Sequence, residues 1–509
     1  MTVSEIRNVS LPPRRPLVRV RRERHDRRPL ALVLTAVLGV CIALAFTGSA
    51  ARPVVLPLVS LLLLAVIYVA VMIRRDKRVP VFELGSMFVL AVTAYGAVPL
   101  MNFLAGGLEW QTYADPRLVN YAPSAEEVGA FAWQHVALLA SFIVAYLWIR
   151  KASRPLKRTP LSMDRPTIVA IVAIWLSLVV FFWVMAHFFG LSYDQSYANM
   201  SAGIGPGLGQ NLPLIVRQVS HNLRGMLTLE KQLLLIILIS GWSVFRNRVL
   251  VVLLLGFEVS MILTRFYGRT ELMIVLLTSV LLYDLFVRPL SMKLVVGTIT
   301  LALVGVVIYG AVRDIVVTQS QGRRSAASAE VSSLETNNNE FQVLWANAFD
   351  LHKRRELGTL QVPWQIYVSD LYMVIPSQLL PFEKLDPSLW YIDVMGDRSG
   401  IGFMFGILAQ ASLGWGWIEL VIRGIFLGLM LAGIHRWYAR HQGSFWSTAL
   451  YMFILVWLFY SVRSTMLYWT YFVLYSFVPT MLATIGLALL LRRPSRVVAR
   501  LLIHRKRTA

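Results

Sequence analysis

Apolar runs close to the length of a bilayer-crossing helix recur along the whole chain, and almost every second gap between them holds a cluster of Lys and Arg. A hydrocarbon core roughly 30 Å thick takes about twenty apolar residues in helical form, because each backbone N–H and C=O has to be satisfied inside the segment. This pattern restricts the chain to an all-α polytopic membrane protein. Composition agrees: 57% of the 509 residues are hydrophobic and the mean hydropathy is +0.62, which excludes an ordinary soluble domain. The formal charge of +22 is parcelled into short clusters beside the apolar runs. Lipid headgroups are the partner for such clusters, and nucleic acid is not. The only cysteine, Cys41, lies inside the first run, so neither a disulfide within the chain nor a thiolate metal site is available.

Twelve transmembrane helices are expected, near residues 30–50, 53–73, 81–104, 127–149, 167–189, 227–245, 249–264, 270–287, 294–312, 415–435, 447–462 and 465–491. Basic clusters at 1–29, Arg74–Arg78, Arg150–Arg165, Arg246–Arg248, Arg288–Lys293, Arg436–Arg440 and Arg492–Arg507 hold about two-thirds of the 49 lysines and arginines. All of them fall in phase with an even number of spans, which places both termini in the cytoplasm. Nine arginines precede the first run and small residues, Ser49–Ala51, follow it, as in a cleavable signal. Its length and the span directly behind it favour an uncleaved helix instead. The expected organisation is a basic tail (1–29), spans one to nine (30–312), a large outer loop (313–414), spans ten to twelve (415–491) and a second basic tail (492–509).

The outer segments are more varied. The loop at 190–226 starts polar and Gly-rich and continues as an interfacial helix bearing Arg217, His221 and Arg224. In the large loop, residues 318–340 are rich in Ser, Asn, Gln and Ala, a composition that favours flexibility. Next, Phe341, Leu344, Trp345, Ala348 and Phe349 recur at helical spacing ahead of His352-Lys353-Arg354-Arg355, which predicts an amphipathic helix on the outer leaflet. The stretch from Gly400 to Ser412 is apolar and Gly-rich but too short to span, and is a candidate re-entrant segment that needs burial in protein.

Positive residues are normally depleted on the outer side, yet Arg217, Arg224, Arg265, Arg269, Arg313, Arg323, Arg324, Arg354, Arg355, Arg398 and Arg463 fall there. The turn Arg265-Phe-Tyr-Gly-Arg269-Thr-Glu271 carries two of them between adjacent spans. Snorkelling to headgroups, or pairing of Arg269 with Glu271, is one explanation; a guanidinium fork for phosphate oxygens is the other. Arg313, Arg398 and Arg463 lie at outer span ends or beside the Gly-rich stretch, where they can share one cavity with that turn. Among the outer acids and histidines, Asp397 neighbours Arg398, and His352 has an imidazole suited to proton transfer. Glu419 and Arg423 stand four apart on one helix and are expected to pair. No Asp-x-Asp, Walker or zinc spacing is present, and Gly203-Ile-Gly205-Pro-Gly207-Leu-Gly209 lacks the lysine of a phosphate loop.

Together the Gly268-Arg269 turn, the large outer loop with Ile375-Pro-Ser-Gln-Leu-Leu-Pro381, and the stretch Gly400 to Gly416 resemble the Wzy-type O-antigen and exopolysaccharide polymerases. Gln410 stands where that family's pattern leads one to expect Glu. The resemblance implies joining of polyprenyl-pyrophosphate-linked oligosaccharide repeats at the outer leaflet of the cytoplasmic membrane, with no cofactor, metal or nucleotide sugar. It implies Arg265, Arg269, Arg313, Arg398, Arg463, Arg217 and Arg224 as substrate-binding residues and Asp397 or His352 as the base. Its partners would be the lipid-linked oligosaccharide, membrane lipids and a chain-length regulator. A ligase acting on the same donor, and a lipid-linked glycan flippase, are the alternatives.

Overall fold

The computed structural model describes residues 48–76, 83–105, 123–150, 163–188, 214–265, 269–288, 340–387 and 405–492, with a few isolated positions between them. Among these the regular elements are helical and none is a strand. The longer helices of the first part are Arg52–Asp76 (α1), Leu84–Leu104 (α2), Ala125–Arg150 (α3), Arg165–Phe188 (α4), Leu214–Ser240 (α5), Phe245–Arg265 (α6) and Arg269–Leu282 (α7), the last running into a π turn at Tyr283–Val287. After these come Glu340–Glu356 (α8), Trp364–Tyr367 (α9), Ser369–Tyr372 (α10), Gly406–Leu413 (α11), Trp417–Arg440 (α12), Phe445–Trp457 (α13), Tyr460–Arg463 (α14), Tyr468–Phe472 (α15) and Val478–Arg492 (α16).

Seven helical stretches among the described residues are long and apolar enough to cross a membrane: α1, α2, α3, most of α4, α12, and the composite segments Phe445–Arg463 and Tyr468–Arg492. Each coincides with an expected span. The expected spans at 227–245, 249–264 and 270–287 fall on α5, α6 and α7. The span at 294–312, and most of that at 30–50, lie outside the described residues.

One expectation needs correction. The interfacial helix and the span expected after it form one 27-residue helix, α5. No proline interrupts that stretch, and its one glycine, Gly225, lies against Ser476. The last span is helical from Tyr468 to Arg492, close to its expected bounds, but not α throughout: α15 passes through a π turn, Val473–Phe477, into α16. Pro479 has no N–H for the carbonyl four residues back, and the wider turn lets Val478 N donate to Val473 O.

Helix directions follow from side-chain pairings. Gly85 meets Tyr146 while Gly96 meets His135, so α2 and α3 run antiparallel. Gly424 abuts Leu138 and Ser141 while Gly428 abuts Phe142 and Ala145, so α12 runs parallel to α3. Both glycines lie on the α3–α12 contact, the most extensive helix pairing among the described residues. A Cβ at Gly424 would stand 2.7 Å from Leu138 O, and one at Gly428 2.7 Å from Phe142 O, so only hydrogen fits. Small residues four apart allow this backbone approach, and in a bilayer dispersion at such contacts replaces the missing hydrophobic drive.

Polar groups pin both ends of α3. At its start Ser124 Oγ accepts from Glu127 N at 3.2 Å while Glu127 Oε2 accepts from Ser124 N at 2.9 Å, a reciprocal cap. At its end Arg150, only 1% exposed, pairs with Asp76 and Glu83 at 2.8 Å each. Tyr146 Oη donates to the same Glu83 carboxylate at 2.8 Å. The ends of α1, α2 and α3 are thereby fastened at one side of the bundle.

Replacing Gly428 with Val should lower stability by about 1–3 kcal/mol, the usual cost of overpacking. Gly433→Ala on the same helix, where nothing lies within 4 Å, should leave it unchanged. Melting of both variants in detergent, followed against the parent, checks the pair.

Candidate functional site

At the end of the bundle opposite Arg150, chain from 340–387 and 405–416 packs over the helix tips. The stripe predicted from Phe341 to Phe349 does form a helix, α8, but it does not face lipid. Leu344, Trp345, Ala348 and Phe349 are buried in protein. Phe131 of α3 packs edge-on to Trp345 and Phe349, with centroids 5.1 and 5.4 Å apart, and Tyr95 of α2 meets Phe341 at 4.8 Å. An apolar face is satisfied equally by lipid or by a groove between helices, and here α2 and α3 supply the groove. Lys353 adds an ion pair of 2.9 Å to Glu127, at the start of α3.

Every residue of α11 is buried. Gly406 opens it with φ +66°, and a side chain there would also press on Val462 O and Leu344. At the other end Arg355 donates to Ser412 O at 2.9 Å and to Gly414 O. A cation at the carbonyl end of a helix both caps it and complements its dipole. Gln410 in the middle of α11 is wholly enclosed; its Nε2 donates to Ile366 O at 3.2 Å and to Ser369 Oγ at 3.0 Å. Ser369 Oγ gives its own hydrogen to Ile366 O at 2.9 Å. This position needs a donor, which Gln supplies and a carboxylate does not.

Arg423 ties this cap to the membrane helices. It lies two turns into α12 and is buried, with Nη1 2.5 Å from Asp370 Oδ2 and Nε 2.7 Å from Glu419 Oε1. The expected Glu419–Arg423 pair is present, and a second carboxylate, from α10, joins it. The other oxygen of Asp370 accepts from Leu467 N at 3.0 Å, at the break between α14 and α15. Glu419 Oε2 accepts from Trp415 N at 3.0 Å.

That break is lined with aromatic rings. Tyr460 and Tyr468 stack at 5.9 Å, Tyr468 and Tyr471 at 5.9 Å, and Tyr471 meets Tyr475 at 4.6 Å. Arg463, half-buried at the end of α14, lies over the Tyr460 ring at 5.4 Å. Ser461 Oγ, Thr465 Oγ1, Trp457 Nε1 and Trp469 Nε1 are buried and meet no hydrogen-bond partner among the described residues. The loop carrying Ile375–Pro381 closes beside it: Tyr475 Oη donates to Val374 O at 3.1 Å, and Lys384 Nζ donates to Met373 O at 2.7 Å.

Arg463 and His352 are the predicted site residues whose side chains are described, and their helices, α14 and α8, both pack on α11. His352 is half-buried against Phe131, with ring centroids 5.4 Å apart, and its Nε2 lies 3.2 Å from Glu356 Oε1. Burial lowers its pKa; Lys353 and Arg355 push the same way and Glu356 opposes them. The neutral ring donates Nε2–H to Glu356 and leaves Nδ1 as the acceptor, an assignment set by the partner. Arg265 ends α6 and Arg269 begins α7, bracketing the predicted turn, and Arg217 and Arg224 lie on α5. Asp397, Arg313 and Arg398 lie outside the described residues. Sequence reasoning missed Asp370 as the partner of Arg423, and the tyrosine ladder; only the i, i+3 and i+4 spacing of Tyr468, Tyr471 and Tyr475 was there to find.

Removing one partner of a buried ion pair costs about 3–5 kcal/mol, because the other charge stays enclosed. Asp370→Ala should therefore lower stability by that amount, and Glu419→Ala, whose carboxylate is 18% exposed, by less. Thermal unfolding in detergent gives the order. Compared with known proteins, the chain matches no family model, no curated protein and no solved structure.

Proposed function

We propose that this chain is a metal-independent glycosyltransferase of the cytoplasmic membrane, with about twelve spans and both termini in the cytoplasm. It joins polyprenyl-pyrophosphate-linked oligosaccharide repeats at the outer leaflet. The observation that carries this reading is the half-buried Arg463 stacked on Tyr460 at the break between α14 and α15. A guanidinium there suits diphosphate oxygens, and the neighbouring tyrosine faces suit the C–H faces of sugar rings. The unsatisfied hydroxyl and indole groups around the break offer further hydrogen bonds to a polar ligand.

In the proposed reaction a hydroxyl oxygen of the acceptor sugar bonds to the anomeric carbon of the donor glycan. The bond from that carbon to the lipid diphosphate breaks, and the electron pair leaves with the diphosphate. Arg463, with Arg265, Arg269, Arg313, Arg398, Arg217 and Arg224, which the sequence assigns to the outer side, stabilises the charge that develops on the leaving oxygen. The acceptor's proton passes to His352 Nδ1 or to Asp397. A lipid-linked glycan flippase is the second reading; the π turn in the last span, an irregularity that recurs at functional sites, is the observation on its side.

Purified protein given lipid-linked repeat unit alone, without added metal, should produce a ladder of longer glycans. Unchanged substrate would favour the flippase, and transfer only to an added foreign acceptor a ligase. Arg463→Ala should slow the ladder about 100-fold or more, in the range of a lost transition-state donor. A base works in its unprotonated form, so the lowered pKa of His352 keeps it competent into mildly acidic pH. If His352 is the base, His352→Gln removes the acidic limb of the pH–rate profile. An unaltered limb assigns the proton to Asp397.

A further inference from the structure

Glu230 is used by none of this chemistry. It sits on α5 at the head of the apolar run Leu233–Ile239, and its side chain is entirely buried. Oε1 lies 3.3 Å from Thr484 Oγ1 on α16, and Oε2 has no hydrogen-bond partner among the described residues. Thr484 has a single hydroxyl hydrogen and two oxygens within reach of it. The nearer is Thr480 O, at 2.8 Å. Thr484 therefore shares one hydrogen between two acceptors, and the carboxyl is left with the longer contact at one oxygen and none at the other.

We propose that Glu230 is a proton-binding site within the membrane domain, holding one exchangeable proton at neutral pH at the α5–α16 interface. An ionised carboxylate there would have a single long hydroxyl contact, shared with Thr480 O, at one oxygen and no donor among the described residues at the other. Among the described residues no cation pairs with it, and Lys231, its neighbour on α5, has an interaction of its own. On the elements packed against α5, Arg492 pairs with Asp164, Asp284 accepts from Leu290 N, Tyr475 donates to Val374 O and Tyr451 meets His435. None of them touches Glu230. The seam continues toward the start of both helices: Thr480 Oγ1 donates to Ser476 O at 2.7 Å, and Ser476 lies against Gly225. Contacts from Gly225–Ser476 to Glu230–Thr484 advance in one sense along both segments, so a polar strip runs along parallel helices. Enclosed carboxyls without a counter-ion mark ion pathways and proton relays in membrane proteins.

Infrared difference spectroscopy of the full-length protein in nanodiscs, parent minus Glu230→Gln, tests this. Gln reproduces the shape of the acid form. At neutral pH the difference should show one protonated-carboxyl C=O band, shifted in deuterated buffer, shifted again in Thr484→Val, and replaced by carboxylate bands at alkaline pH. Carboxylate bands at neutral pH would overturn the proposal, as would a band insensitive to deuterium or loss of the band on replacing choline with sodium ions, which would make the site a cation site. Should Glu230→Gln fail to fold, the Thr484→Val shift measured against the parent reports the same group: a shifted acid band supports the proposal and an unshifted spectrum overturns it.

Discussion

A guanidinium enclosed at the head of a membrane helix leaves the surrounding chain little freedom, and Arg423 is such a group. Its charge has to be met inside the protein. Glu419, one turn back on the same helix, provides one carboxylate, and the rest of the requirement falls on Asp370. Fixing Asp370 fixes α10, and its second oxygen holds Leu467 N, where the last two spans are interrupted. The carbonyl ends of α9 then fall within reach of Gln410, which seats α11 beneath them. One buried ion pair thus sets the position of the outer cap relative to three membrane segments, and with it the position of the aromatic break.

The arginines that the sequence assigns to the outer side divide according to their surroundings. Arg354 is paired with Asp350 at 2.9 Å, and Arg355 caps α11. Both were grouped with the substrate candidates' unexplained charges by their side of the membrane alone, and both have structural employment. Arg463 differs in its surroundings: a tyrosine face lies beneath it and unsatisfied polar groups lie near it on the chain. An excess of arginine on the outer side is therefore a mixed signal. Some of it builds the cap, and any arginine proposed for chemistry has to be chosen by what stands next to the guanidinium.

The same distinction marks what could be read in the sequence. Span positions were legible because a bilayer demands a run of fixed length, and α1 to α4 and α12 lie where those runs predict. The stripe from Phe341 to Phe349 gave a helix with the right bounds and the wrong cover, since periodicity identifies an apolar face without saying what lies against it. The close approach at Gly424 and Gly428 comes from the structure alone, because Leu138 and Phe142 are brought there only by packing. Asp370 and Arg423 are 53 residues apart, and no local pattern pairs them. Of the candidate site, the acidic and basic residues could be enumerated, but convergence on α11 could not.

The last span joins these observations. A π turn precedes Pro479 and contains Ser476, which lies against Gly225, so that α5 and the last span approach closely where the backbone is least regular. Beyond the turn the polar strip of Thr480 and Thr484 leads to Glu230; before it the tyrosine ladder leads to Arg463. A continuous α-helix would place successive tyrosines and threonines on faces set by one period alone. With an extra residue in the turn, the two halves present different faces, one toward the outer cap and one toward α5. The irregularity that most departs from a simple membrane helix is also the element shared by the two polar regions, and a change of register there moves both together.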